Sequence, residues 1–122
     1  MRPTKRTAMI PRIPLTRNQA DQSKWWGRHR QTKLWRTEIL VAFGRRAVPP
    51  KKAHVDITVY RGKSQDPDNL VASMKPILDA LVKCGWLTDD NDAGVVLSVR
   101  EVPYTKLQDR RTIIEWEAAD GA

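Results

Sequence analysis

The feature that most restricts the fold is a change of period midway along the chain. Over Ala53–Tyr60, Val55, Ile57 and Val59 fall on one side and His54, Asp56, Thr58 and Tyr60 on the other, the signature of a half-buried β-strand. From Leu70 to Leu81 the spacing turns helical, with Leu70, Met74, Ile77, Leu78 and Leu81 on one face and Gly85 closing the element. Pro76 lies inside that pattern, where its missing donor predicts a kink or a restart. Val95–Val102 and Arg111–Glu117 read as two further strands, joined by a polar loop with Pro103 and Lys106. Upstream, Lys24 to about Arg46 is helical: Trp35, Ile39 and Phe43 recur every fourth residue, with Leu34 and Val41 alongside, and Pro49–Pro50 ends the run. Pro11 and Pro14 confine any strand in Ala8–Leu15 to a short or edge position, residues 1–7 read as a flexible tail, and Thr16–Ser23 reads as a loop. The order is β-α-β-α-β-β, which predicts a single α+β (mixed α/β) domain over 1–122, a small sheet packed with two helices.

Charge divides the chain unevenly. Residues 1–54 hold 14 Lys/Arg and two acids, whereas residues 55–122 hold eight Lys/Arg and twelve acids, within a net charge of +8. A basic half suits a polyanion such as nucleic acid, and the acids of the other half call for a separate explanation. A solvated basic surface is the plainer alternative. No apolar run approaches the roughly 18 residues of a membrane span, and no apolar stretch follows the charged N-terminus as a signal peptide would have it. One cysteine, Cys84, rules out an intramolecular disulfide, so the expected compartment is reducing and cytoplasmic.

The chemistry is expected in two acidic clusters, Asp66-Pro67-Asp68-Asn69 and Asp89-Asp90-Asn91-Asp92. The first falls where a strand gives way to a helix, and the second follows that helix after Gly85-Trp86-Leu87. A strand, a helix and a return loop are expected to bring both to one end of the sheet. Carboxylates crowded together repel one another unless some protonate or cations fill the gap, and oxygen ligands favour Mg²⁺ or Mn²⁺ over zinc. Helix capping is a second reading: Asp66 can cap a helix that begins at Pro67, with Asp68 favoured by the helix dipole and 89–92 a polar turn. The two readings are compatible. Lys75 lies seven residues after Asp68 and four before Asp79. It can approach the acids and contact a phosphate, or form an ordinary exposed pair with Asp79.

The ordered set Asp66-x-Asp68-Asn69-Leu70, Lys75-x-x-x-Asp79-Ala80-Leu81, Gly85 and Asp89-Asp90 resembles the signature of the RusA family of Holliday-junction resolvases over about residues 54–100. The resemblance implies a Mg²⁺-dependent homodimeric endonuclease that nicks branched DNA in recombination, repair or phage DNA processing, in a bacterial cell or encoded by a phage. It implies Asp66, Asp68 and Asp90 as catalytic metal-binding carboxylates, Asp89 as a further candidate ligand, and Lys75 as the lysine of the site. The sequence departs from the pattern in one respect: Lys75 comes about one helical turn later after Asp68 than the family has it.

Lys24, Trp25, Arg28, Arg30, Lys33, Arg36 and Lys63 are the candidate DNA contacts, cations for phosphates and a tryptophan to stack on unpaired bases. The Trp25-Trp26 pair has a core or dimer-interface reading as well. No small-molecule cofactor is expected. Gly62-Lys63-Ser64 has Ile57 where a P-loop needs its first glycine, 89–94 lacks EF-hand spacing, and His29, His54 and Cys84 make no zinc pattern.

Overall fold

The computed structural model describes residues 5–16, 19, 25–62, 65–91, 93–103 and 106–119. Strand β1 (Lys5–Ile10) leads to helix α1 (Trp25–Phe43), strand β2 (Ala53–Tyr60), helices α2 (Pro67–Ala72) and α3 (Lys75–Lys83), strand β3 (Val95–Val102), a 3₁₀ turn at Leu107–Asp109 and strand β4 (Arg111–Ala118). The expected β-α-β-α-β-β order is therefore present, with the second helical region broken in two. The strands form one mixed sheet in the order β1-β4-β2-β3. β4 runs antiparallel to both β1 and β2, and β2 runs parallel to β3 with Ala53 opposite Val95 and Tyr60 opposite Val102.

The alternation in β2 does what the sequence requires of it. Ala53, Val55, Ile57 and Val59 are wholly buried, and they meet Ile10 of β1 and Ile114 and Trp116 of β4 in one core beneath the helices. Each buried aliphatic side chain contributes on the order of 1.5–3 kcal/mol relative to exposure. The helices bring Trp35 and Ile39 of α1 and Ile77, Ala80 and Leu81 of α3 to the same core. The opposite face of the sheet carries Thr7, Met9, His54, Ser98, Arg100 and Glu117, all exposed.

Several boundaries differ from the sequence reading, each for a local reason. β1 begins at Lys5, inside the segment read as a tail, because pairing of Lys5 with Glu117 through Ile10 with Thr112 extends the edge of the sheet. The prolines at 11 and 14 end this edge strand instead of interrupting it. Helix α1 stops at Phe43, ahead of Pro49–Pro50, because Gly44 takes a left-handed φ of 79° and returns its N–H to the Leu40 carbonyl at 2.9 Å. Val41, expected on the apolar face, is 84% exposed. Pro76 restarts the helix: Ser73 and Met74 form a tightened turn and α3 begins at Lys75, with the proline in its first turn where no donor is needed.

Aromatic packing ties the helices to the sheet. Trp86 meets Trp116 edge-on at 5.0 Å between ring centres and Phe43 at 5.5 Å. Both indoles are satisfied, Trp86 Nε1 donating to the Gly44 carbonyl at 2.8 Å and Trp116 Nε1 to the Trp86 carbonyl at 2.7 Å.

Candidate functional site

The first acidic cluster sits on the N-terminus of α2. Pro67 occupies the first turn as expected, and Asp66 takes the N-cap position with extended backbone (φ −60°, ψ 150°). Its main-chain carbonyl accepts from Leu70 N–H at 2.8 Å, yet its carboxylate makes no capping bond. The capping reading of Asp66 thus holds for the backbone only. The side chain, like that of Asp68, is exposed to solvent.

Lys75 opens α3 and turns toward the second cluster. Its ammonium lies 3.3 Å from Asp90 Oδ2 and 3.5 Å from Asp79 Oδ1, so the plain i,i+4 pair and the longer-range contact coexist. The negative charge of Asp79 is the main cause that raises the Lys75 pKa; partial burial opposes it and Asp90 adds to it. For Asp90, partial burial works against ionisation, but hydrogen bonds involving Lys75 and Asp89 together with the Lys75 charge outweigh it, and the pKa falls below the ordinary carboxylate value. Because the folded pKa is the lower one, this pair contributes stability above the unfolded Asp range, and the contribution is lost as pH falls through the folded value. With Lys75 69% exposed, that contribution stays under about 1 kcal/mol. Lys75→Met is expected to move the Asp90 titration upward toward the ordinary Asp range, followed by carboxyl ¹³C NMR. An unchanged titration would show that the contact does not form in solution.

Asp89 is occupied in shaping its own loop. Its Oδ1 accepts from Asp90 N–H at 2.8 Å and its Oδ2 from Asn91 Nδ2 at 3.1 Å, while Asn91 Oδ1 takes the Ala93 N–H at 2.9 Å. Gly94 closes the turn so tightly that an added Cβ would stand 2.4 Å from the Asp89 carbonyl oxygen. Asp92 lies outside the described residues.

The two clusters do not share one end of the sheet. Asp66 follows the C-terminal end of β2, whereas Asp89–Asp90 precede the N-terminal end of β3. Because β2 and β3 are parallel, those ends are opposite, separated by the strand length of roughly 23 Å at about 3.3 Å per residue. The crossover through α2 and α3 carries the chain back to where the strands start. Lys75, part-way along the return, is the residue that reaches Asp90. Among the described residues, no three His, Cys, Asp or Glu side chains are gathered closely enough to hold a metal ion.

Of the candidate DNA contacts, Arg30 and Lys33 are exposed on α1 and Arg36 is half-buried. Lys24 and Lys63, and the side chains of Trp25, Trp26 and Arg28, lie outside the described residues.

Sequence reasoning passed over a buried polar group behind the first cluster. Arg61 and Glu101 form an ion pair at 2.9 Å with both side chains only 7% exposed. Arg61 also donates to the Pro14 carbonyl at 2.8 Å, and Glu101 Oε1 accepts the Gln65 N–H at 2.7 Å. A signal for the pair exists in the sequence. Arg61 continues the inward parity of Val55, Ile57 and Val59, and Glu101 that of Val95, Leu97 and Val99, so each puts a charge where the core faces and needs a partner.

No protein-family model matches the chain, and no curated protein shows significant sequence similarity to it. Among the described residues, no helix is long and apolar enough to cross a membrane.

Proposed function

We propose that the chain is a Mg²⁺-dependent endonuclease acting on four-way and related branched DNA, working as a homodimer that nicks paired strands. The observation that carries this reading is the meeting of Lys75 with Asp90, fifteen residues apart and on different elements, at 3.3 Å. A second support is Asp66, a helix-cap aspartate whose carboxylate is left exposed instead of capping. The net charge of +8, concentrated before residue 55, supplies attraction for the phosphate backbone.

In this proposal Asp66, Asp68 and Asp90 are the carboxylates for Mg²⁺ or Mn²⁺, with Asp89 holding the loop that presents Asp90. Their oxygen donors suit a hard divalent cation. Bound there, the metal would lower the pKa of a water and neutralise charge on the leaving oxygen. The segments that carry these donors adjoin opposite ends of the β2–β3 pair, and Lys75 of the crossover between them is the residue that meets Asp90. Lys75 carries its proton firmly, since Asp79 raises its pKa, and can present a fixed positive charge to a phosphate. Two-fold symmetry of a dimer matches the symmetry of paired nicks.

The basic charge concentrated before residue 55 also fits one rival, a module that binds branched DNA without cutting it. End-labelled four-way junction, incubated with protein in Mg²⁺ or in EDTA beside a linear duplex, separates the two. Paired nicks on the junction alone, abolished by EDTA, are the expected result. Saturable junction binding with no nicks in Mg²⁺ or Mn²⁺ selects the binding module.

A further inference from the structure

The buried Arg61–Glu101 pair does more than fill an inward position at the ends of β2 and β3. Glu101 stands opposite Val59 in the parallel register, and Arg61 extends β2 by donating its N–H to the Val102 carbonyl at 3.0 Å. Arg61 donates to the Pro14 carbonyl at 2.8 Å and pairs its charge with Glu101, Nε to Oε2 at 2.9 Å in ion-pair contact without hydrogen-bond geometry. Glu101 reaches out of the sheet with its other oxygen to take the Gln65 N–H at 2.7 Å. The Gln65 side chain in turn donates to Ser73 Oγ at 3.2 Å, and Ser73 Oγ donates to the Leu70 carbonyl at 2.8 Å. Asp66 therefore follows a residue pinned at both its main chain and its side chain, and α2 is pinned again at its C-terminal end. Charge-assisted bonds to a backbone N–H are among the stronger ones, and a low-dielectric setting strengthens them further.

A buried ion pair is a poor way to add stability, since apolar residues of similar volume often do as well. Its value here is directional. We infer that Glu101, oriented by Arg61, is a positioning residue that fixes the main chain at Gln65 and so sets where the Asp66 and Asp68 carboxylates stand. The consequence for catalysis rests on the cleavage reading above; the clamp itself does not.

Two double variants separate positioning from bulk stability. Arg61→Met/Glu101→Gln removes both charges but keeps an oxygen acceptor for Gln65, whereas Arg61→Met/Glu101→Leu removes the acceptor as well. Amide hydrogen exchange at Gln65, junction affinity in EDTA and single-turnover nicking in Mg²⁺ are measured for each and for wild type. The Gln variant should keep Gln65 protected and nick within about threefold of wild type, while the Leu variant should lose that protection and slow nicking by about 100-fold, as small displacements of reacting groups do. Junction affinity should stay within about twofold for both, because the DNA-facing cations are untouched. An unprotected Gln65 amide in wild type overturns the clamp, whichever variants fold. Equal nicking by the Gln and Leu variants overturns its positioning role. Wild type that protects Gln65 but never nicks overturns the cleavage reading and leaves the clamp standing, so the two failures are distinguishable.

Discussion

Asp90→Asn is expected to abolish Mg²⁺-dependent nicking of a four-way junction, with a loss of at least about 100-fold in the single-turnover rate. The substitution is isosteric and removes one negative charge. Asn can still receive a hydrogen bond from Lys75, so the fold has little reason to change: the pair it weakens is exposed and contributes under about 1 kcal/mol. In the proposed mechanism, what disappears is a carboxylate ligand for Mg²⁺ and one of the two negative charges beside the ammonium of Lys75. Junction binding in EDTA should persist or tighten slightly, because removing a negative charge cannot repel phosphate. Asp66→Asn should behave in the same way, since its carboxylate has no capping duty to lose. Cleavage by Asp90→Asn at the wild-type rate would sink the assignment of Asp90.

The largest effect on stability is expected at Gly85. Its φ of 85° is a conformation that costs an L-residue roughly 1–2 kcal/mol. The greater obstacle is steric, for a Cβ on Gly85 would stand 2.0 Å from the Arg46 carbonyl oxygen, which belongs to the backbone and cannot swing aside. Moving that segment would strain the Arg46 N–H bond to the Cys84 carbonyl and the Trp86 bond to Gly44. Gly85→Ala should therefore destabilise the protein by about 3–5 kcal/mol, in the range reserved for core disruption. In urea, with a slope of about 1–3 kcal/mol per molar, the midpoint should fall by at least about 1 M. A loss under about 1 kcal/mol would mean that the segment around Arg46 yields far more easily than its hydrogen bonds indicate.

The elements were legible where one period ran unopposed. β2 and β3 have the bounds their alternation requires, and β4 runs one residue further, to Ala118. The restart at Pro76 follows from its missing donor. Boundaries slipped where a single residue outweighed the pattern, as with Gly44, whose left-handed turn ends α1 before the prolines are reached. Val41 shows what a strict angular count corrects: two residues from Ile39 and from Phe43, it stands about 200° around the helix on the far face, and its exposure follows the period. The arrangement of the site was less legible. Alternation gives each strand its inward side but says nothing of its direction, and the expectation of two acid clusters at one end overlooked how a crossover returns the chain. A parallel β2–β3 pair sends the segment after the first strand and the segment before the second to opposite ends. The clamp behind Asp66 joins Pro14, Arg61 and Glu101 across long intervals of sequence, and only the inward parity of its two charges hinted at it.

The break at Ser73–Met74 bears on how such a chain can tolerate length changes. In an unbroken helix, the bearing of Lys75 would be geared to Asp68, and each residue added or removed between them would rotate it by about 100°. Here α3 starts afresh at Lys75, anchored by Ile77 and Leu81 in the core, and the lysine is aimed by that anchor. Residues 69–74 are seated in their own right, with Leu70 and Met74 in the core and Ser73 bonded to Gln65, so the two helices are anchored separately. A residue inserted there would leave the lysine pointed at Asp90 only if Leu70, Ser73 and Met74 kept their seats, so the turn fixes the aim of Lys75 from its own side of the break.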